Sequence, residues 1–152
     1  TRLGELDLPD DLDAWDGYPQ AREEFYQISK AAKAQDLLVL SGDSHSFWAN
    51  SLYDDENLPM GLELGSTGIS SPRSLLSLGE EGLKRFDELN AKHNEEIVWS
   101  DGRHRGYIRL HIKPDGGKAD FIAISNVESR NYSSQIIHSV EIAQTNGNLQ
   151  YI

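Results

Sequence analysis

Hydrophobic and polar residues alternate with two different periods along the chain, and the longer period predicts two helices. Residues 20–35 and 79–94 both repeat apolar side chains every three or four positions, as amphipathic helices do. The apolar face is expected to be buried in each helix. Its members are Ala21, Phe25, Ile28 and Ala32 in the first helix, and Leu83, Phe86 and Leu89 in the second.

Continuous or alternating apolar residues predict two strands between these helices. Residues 36–43, "DLLVLSGD", contain an unbroken aliphatic run, which is typical of an inner strand that is buried on both faces. Residues 60–71 begin with alternating Leu62 and Leu64 and run into a loop of glycine, serine and threonine. The first strand is therefore expected to lie inside a sheet and to end at Gly-Asp.

The C-terminal third of the chain has the shorter period and predicts a β meander. A first strand is predicted in "GYIRLHIKP", a hairpin turn in "DGGK", a return strand in "ADFIAISNV" and a last strand in "SQIIHSVEIAQ". The alternation leaves one face of the first strand in contact with water: Tyr107, Arg109, His111 and Lys113. These elements predict a layered domain of the α/β or α+β class. We take it as an α/β fold, with a mixed sheet, helices on one face and a C-terminal β meander.

Composition and charge remove several classes of protein from consideration. The chain has 152 residues and a net charge of -11, which argues against a nucleic-acid-binding surface and against adsorption to anionic membranes. It has no cysteine, so disulfides and thiolate metal sites are excluded, and no apolar run long enough for a membrane span. We treat residues 1–152 as a single domain. The first residue is threonine, so we expect a piece of a longer chain, with any targeting signal upstream.

The sequence "LVLSGDSHSFWAN" at residues 38–50 carries the clearest chemical signal. An acid and an imidazole, Asp43 and His45, follow a buried strand, and Gly42 allows a sharp turn. Ligands in α/β folds collect beyond the carboxyl ends of strands. A carboxylate and an imidazole two residues apart are suited to binding manganese, iron, zinc or a mixed pair of metals.

Two other interpretations of this stretch remain open from the residues alone. Gly-Asp-Ser after a strand is also found in GDSL-type serine esterases, in which Ser44 would be the nucleophile, His104 its base and Asp101 the residue that orients the base. A chain without catalytic function, serving as an α/β interaction module, would use the same residues for turn capping and for a buried histidine.

A longer pattern resembles a known family. "WDGYP" with an arginine three residues later, "LSGDSHSFWANSL", "LELGSTGISSP" and "RGY" occur in the order and spacing of the C-terminal half of the PhoD-like alkaline phosphatases and phosphodiesterases. These belong to the metallophosphoesterases. The resemblance runs from about residue 10 to about residue 128 and implies half of a layered αββα sandwich, forming the C-terminal part of a larger phosphatase catalytic domain.

The resemblance also implies a function, which is the hydrolysis of phosphate mono- or diesters at a centre of several metal ions. Iron and calcium are the metals associated with the family, and manganese or zinc would also suit the ligands. The family motif implies that Asp43 and His45 bind metal. Ser44 occupies a variable position, so the attacking group would be a metal-bound water or a metal-held oxyanion.

Four more residues match the family pattern near this motif. Trp15 and Asp16 are expected to shape the rim of the site, with simple packing of Trp15 against the following helix as the alternative. Trp48 and Asn50 are expected to support the metal loop from behind, or, for Trp48, to lie in the core.

Two metal ligands do not complete a coordination shell. The remaining ligands of the family come from its N-terminal half, so this chain alone is expected to have little or no activity. Its expected partners are a phosphate ester and either the missing N-terminal half or a second copy of the chain, which would cover an exposed sheet face.

Overall fold

Two stacked four-stranded sheets form the protein, as seen in a computed structural model that describes residues 12–34, 36–71 and 76–152. Residues 1–16 are rich in Asp, Leu and Pro, which predicts an extended loop, and residues 1–11 of this segment lie outside the described residues. Gly17 and Pro19 predict a turn in the segment "WDGYP", and the structure has a turn of 3-10 helix there, at Trp15–Gly17.

The first sheet is mixed and has the strand order β1-β3-β2-β4. Strand β1 runs parallel to β3, and the other two pairings are antiparallel. Of its four strands only β1 and β3 were predicted, since polar residues interrupt the apolar pattern of the other two. The bounds are β1 Leu37–Ser41, β2 Phe47–Tyr53, β3 Pro59–Gly65 and β4 Ile97–Asp101.

The second sheet contains the three strands of the predicted β meander and a fourth, short strand at its C-terminal end that was not predicted. Its four strands pair antiparallel in chain order. Short turns at residues 114–115 and 146–147 join the first and last pairs, and a longer loop at residues 125–133 joins the middle pair. The four polar positions predicted to face water are exposed, and Ile108 and Leu110 on the other face are half-buried. The predicted alternation fails at Ile112, which is 67% exposed. The bounds are β5 Arg105–Lys113, β6 Gly116–Ile124, β7 Ser134–Thr145 and β8 Asn148–Tyr151.

The hydrophobic core lies between the two sheets. Phe47 of β2 and Phe121 of β6 are fully buried and meet edge to face, with ring centroids 5.6 Å apart. Burial of such aromatic side chains supplies much of the stability of a small sandwich. The buried cluster consists of Phe47, Ala49, Leu62, Leu64, Ala119, Phe121, Val140 and Ile142.

The first helix, α1 (Pro19–Ala31), lies where the sequence predicts it but buries a different face. Phe25 and Ile28 are exposed, whereas Tyr26 is buried, so the predicted apolar face is wrong. Lys30 forms an ion pair with Asp54, a buried carboxylate beyond the end of β2. Burial of Tyr26 and this ion pair together set the rotation of the helix, in place of the small apolar face.

The second helix, α2 (Gly79–His93), packs against β4. Leu83 is buried as predicted, Phe86 is half-buried and Leu89 is exposed, so the apolar face is only partly used. Within the described ranges, neither helix is long and apolar enough to cross a membrane.

Strand β1 was predicted to be buried on both faces, and this prediction is wrong. Its residues are half-buried, and Leu40 is 65% exposed. Among the described residues β1 has a single neighbouring strand, β3, so it forms an edge of its sheet. An apolar run alone does not distinguish an inner strand from an edge strand whose neighbour belongs to another part of the protein.

Candidate metal and phosphate site

Three loops meet at one end of the first sheet, beyond the carboxyl ends of three of its strands. Residues 42–46 follow the carboxyl end of β1, and residues 66–71 follow the carboxyl end of β3, which is parallel to β1. Residues 102–104 follow the carboxyl end of β4, which pairs antiparallel with β2 beside the first loop. The predicted location of the Gly-Asp-Ser-His turn, at the carboxyl end of a strand, is confirmed.

The Gly-Asp-Ser-His turn has an unusual backbone. Asp43 and His45 both have left-handed backbone conformations, with φ of 69° and 56°, although the sequence suggested that Gly42 would make the sharp turn. Side chains other than glycine are uncommon there, and aspartate and histidine are among those that tolerate it best. Asp43 is exposed and His45 half-buried.

Arg105, at the start of β5, holds the three loops together. Its guanidinium Nη1 donates to the His45 carbonyl oxygen at 2.5 Å and also to the Thr67 hydroxyl, and its Nη2 donates to the Gly102 carbonyl oxygen at 3.2 Å. The residue is 5% exposed. In the sequence this arginine stands out only as part of "RGY", and no neighbouring residue indicates its role.

A carboxylate–histidine pair lies in the turn between β4 and β5. The His104 Nδ1 lies 3.0 Å from both carboxylate oxygens of Asp101, which is 1% exposed. Arg103 donates to the same carboxylate from its backbone N–H and from its guanidinium. Burial alone would raise the pKa of Asp101, but the hydrogen bonds from His104 and Arg103 outweigh burial and lower that pKa to about 2.

The hydroxyl of Ser44 accepts a hydrogen bond from the Trp48 indole Nε1 at 2.7 Å. This hydrogen bond joins Trp48 to the Gly-Asp-Ser-His turn, in agreement with one of the two expectations for it, and a role in supporting a metal site stays a prediction. The other expectation, that Trp48 lies in the core, is wrong. Its neighbours in β2 point between the sheets, whereas Trp48 lies on the opposite face over Gly65, where a Cβ would come within 2.9 Å of the indole ring.

Asn50 lies further along β2, in a polar network on the same sheet face as Trp48. Its amide Nδ2 donates to Glu63 at 2.9 Å, and the Ser41 hydroxyl donates to the other carboxylate oxygen of Glu63 at 2.6 Å. Ser41 is the last residue of β1, so this network fixes the strand end from which the Gly-Asp-Ser-His turn departs.

The contacts described for Trp15 and Asp16 are with the first helix. The Trp15 ring lies 6.1 Å from the Phe25 ring, and Asp16 lies 3.6 Å from the guanidinium of Arg22. Trp15 is 51% exposed. These contacts agree with the packing alternative for Trp15, and a role at the rim of the site stays a prediction.

The donor atoms for a metal ion are incomplete within the part of the chain that the structure describes. Asp43 and His45 supply a carboxylate and an imidazole on one turn, and this donor set fits part of a mixed metal site. No group of three or more histidine and acidic side chains among the described residues is arranged to hold a metal ion.

Comparisons with known proteins agree on one family. Residues 3–121 match the family model of the PhoD-like phosphatases. Alkaline phosphatase D of Bacillus subtilis (strain 168) is 32% identical over 111 residues, which are 72% of this chain and 18% of that relative. A solved structure of PhoD superposes with a TM-score of 0.74 at 28% identity, covering 92% of this chain and 26% of that one. The chain thus spans about a fifth to a quarter of these relatives, and it belongs to the PhoD-like phosphatase family.

Proposed function

We propose that this chain is the C-terminal part of the catalytic domain of a metal-dependent phosphoesterase, which hydrolyses phosphate mono- or diesters. The observation that carries this proposal is the conformation of the Gly-Asp-Ser-His turn in a chain of the PhoD-like phosphatase family. Two potential ligands that lie two residues apart, Asp43 and His45, adopt left-handed backbone conformations at the carboxyl end of a strand. Such conformations are uncommon outside glycine and concentrate at functional sites.

In this proposal Asp43 and His45 bind metal together with ligands from the rest of the catalytic domain. Iron and calcium are the proposed metals, by resemblance, in a centre of several ions, and manganese or zinc would also suit the two ligands. When bound, such ions would polarise the phosphate and activate water. The residues of this chain would orient the ligands: Arg105 through the His45 carbonyl oxygen, and Trp48 through the Ser44 hydroxyl.

The open edge of the sandwich is the proposed contact with the rest of that domain. Leu40 of β1 and Ile112 of β5 are 65% and 67% exposed. Leu38 of β1 and Leu110 of β5 line one apolar groove between the two sheets and are only partly buried. Both strands are edges among the described residues, so additional strands could pair with them and close the core. The chain spans only 18% of its curated relative, which favours the remainder of the protein over a second copy.

A charge at this edge should weaken the contact. We expect Ile112→Lys to reduce association of the chain with a separately produced remainder of the catalytic domain, because a lysine there would be buried without a partner. Titration by isothermal calorimetry measures the effect, and Ile136→Lys, at a 51% exposed position on the inner strand β7, is the matched control. Equal weakening by both variants would contradict a specific contact at this edge. Dimers of the chain that Ile112→Lys disrupts would show that the edge joins two copies of the chain.

Hydrolysis of p-nitrophenyl phosphate and bis-p-nitrophenyl phosphate tests the proposed function. It should be measured on the chain alone, where we expect little activity, and with the remainder of the catalytic domain present. Chelation should abolish the activity of the combined protein. Loss of a residue that hydrogen-bonds to a metal ligand typically lowers activity roughly 10- to 100-fold, so loss of a ligand itself in His45→Ala should lower it further. Ser44→Ala loses the hydrogen bond from Trp48, so it should lower the rate by no more than about 10-fold, the lower end of that range.

The same measurement distinguishes the proposed phosphoesterase from the serine esterase alternative. In that alternative Ser44 reacts with a fluorophosphonate, chelation has no effect, and Ser44→Ala or His104→Ala removes activity. The Asp101–His104 pair that it needs is present, with 3.0 Å between the groups. Membership of the PhoD-like phosphatase family favours the phosphoesterase. A non-catalytic interaction module would show no hydrolysis with either set of variants.

A further inference from the structure

We propose that His104, held by Asp101, binds an oxygen of the substrate's phosphate group. This inference rests on the proposed function and adds a substrate-binding residue that the metal ligands do not account for. His104 stands between two arginines in "RHR", residues 103–105, within a chain whose net charge is -11. Arg103 is ion-paired with Asp101, and Arg105 is buried. The two arginines offset the acidic charge around His104 and leave its imidazole as the most exposed polar side chain of this run.

Asp101 fixes the orientation of the His104 ring. The Nδ1 atom lies 3.0 Å from both oxygens of the Asp101 carboxylate, which also accepts the His104 backbone N–H at 2.8 Å. With Nδ1 directed at a buried carboxylate, Nε2 points away from it, and the His104 side chain is 36% exposed. A protonated imidazole in this arrangement keeps Nε2–H available as a donor to a phosphate oxygen.

The turn that carries His104 lies directly beside the proposed metal loop. Asp101 pairs in register with Phe47, two residues beyond His45. The guanidinium of Arg105 donates to the carbonyl oxygens of both His45 and Gly102, so one planar group spans the two loops. A methyl group built on Gly102 would lie 3.4 Å from the Ser46 hydroxyl. A phosphate at the end of the metal loop would therefore lie next to the His104 turn.

The alternative is that the pair only stabilises the turn between β4 and β5. Asp101 accepts backbone N–H groups from Arg103 and His104, which is sufficient to close that turn. Loss of stability in an Asp101 or His104 variant therefore does not distinguish the two roles. A binding measurement on the folded chain does.

Phosphate titration followed by NMR tests the inference on the chain as it stands, without added metal. The side-chain nitrogen resonances of the five histidines are recorded against inorganic phosphate, with sodium chloride of equal ionic strength as the reference. We expect saturable shifts at His104 and none beyond the salt effect at His111, which is exposed on β5. The backbone amide of Gly102 gives a second readout that survives substitution of the histidine.

His104→Ala should weaken phosphate binding at the Gly102 amide by about tenfold, the equivalent of one hydrogen bond to a charged group. Asp101→Asn keeps the imidazole but loses the charge that orients it, so it should weaken binding as well, whereas His111→Ala should not. Equal shifts at His104 and His111, or unchanged affinity in His104→Ala, would overturn the inference. The phosphate titration contains neither metal nor ester, so its outcome is independent of the hydrolysis measurement. If phosphate binding does not depend on His104 while ester hydrolysis is observed, only the role of His104 is wrong. If metal binding and hydrolysis are both absent, the proposed function is wrong.

Discussion

Arg105→Ala is expected to cost about 3 to 5 kcal/mol of unfolding free energy, because three hydrogen bonds from a buried charged donor are lost at once. The groups left behind are the carbonyl oxygens of His45 and Gly102 and the hydroxyl of Thr67. Urea unfolding followed by circular dichroism measures the change. The three loops would also lose their common anchor, so we expect altered backbone amide shifts in residues 42–46 and 66–71 of the folded variant.

Two variants make this prediction specific. Arg105→Lys keeps the charge but has no planar fork to reach three acceptors, so it should recover less than half of the lost free energy. Arg109→Ala removes an arginine from the same strand, where its side chain is 61% exposed in an ion pair with Asp120, and should cost no more than about 1 kcal/mol. Similar losses of unfolding free energy for Arg105→Ala and Arg109→Ala would contradict the role of Arg105 in holding the three loops together.

Phe47→Ala is expected to destabilise the protein by about 3 to 5 kcal/mol, as large-to-small changes of buried aromatics do. Phe47 is fully buried between the sheets and meets Phe121 edge to face. Phe25→Ala on α1 is the control, since that residue is 39% exposed and should cost less than about 1 kcal/mol. The helical periodicity predicted that Phe25 is buried. A larger loss of stability in Phe25→Ala would support that prediction and contradict the described packing of α1.

The sequence predicted elements whose signal lies within a few neighbouring residues. The wet positions of β5, from Tyr107 to Lys113, follow directly from a period of two and are confirmed. The location of the two helices is confirmed within a few residues. Which face of α1 is buried was not predictable in this way, because Tyr26 and the ion pair of Lys30 depend on residues far along the chain.

In the candidate site too, the sequence predicted the features that depend on neighbouring residues and missed those that depend on distant ones. The Gly-Asp-Ser-His turn was placed correctly because a strand followed by glycine and aspartate is a local pattern. Arg105 was missed as an organiser because its partners, Thr67 and His45, lie 38 and 60 residues away. Strand β2 was missed because Asn50 and Ser51 break its apolar pattern, and its pairing with β3 and β4 overrides that weak local signal.

Metal content shows directly whether Asp43 and His45 bind metal in the assembled catalytic domain. The chain assembled with the rest of the catalytic domain, and the chain alone, are analysed for iron, calcium, manganese and zinc beside the double variant Asp43→Asn/His45→Ala. A second double variant, His111→Ala/Asp115→Asn, changes exposed residues of the same types and serves as the control. The account predicts near-stoichiometric metal in the assembled protein and in the control, with a large loss in the Asp43/His45 variant. No metal in the assembled protein, or equal metal in both double variants, would contradict it.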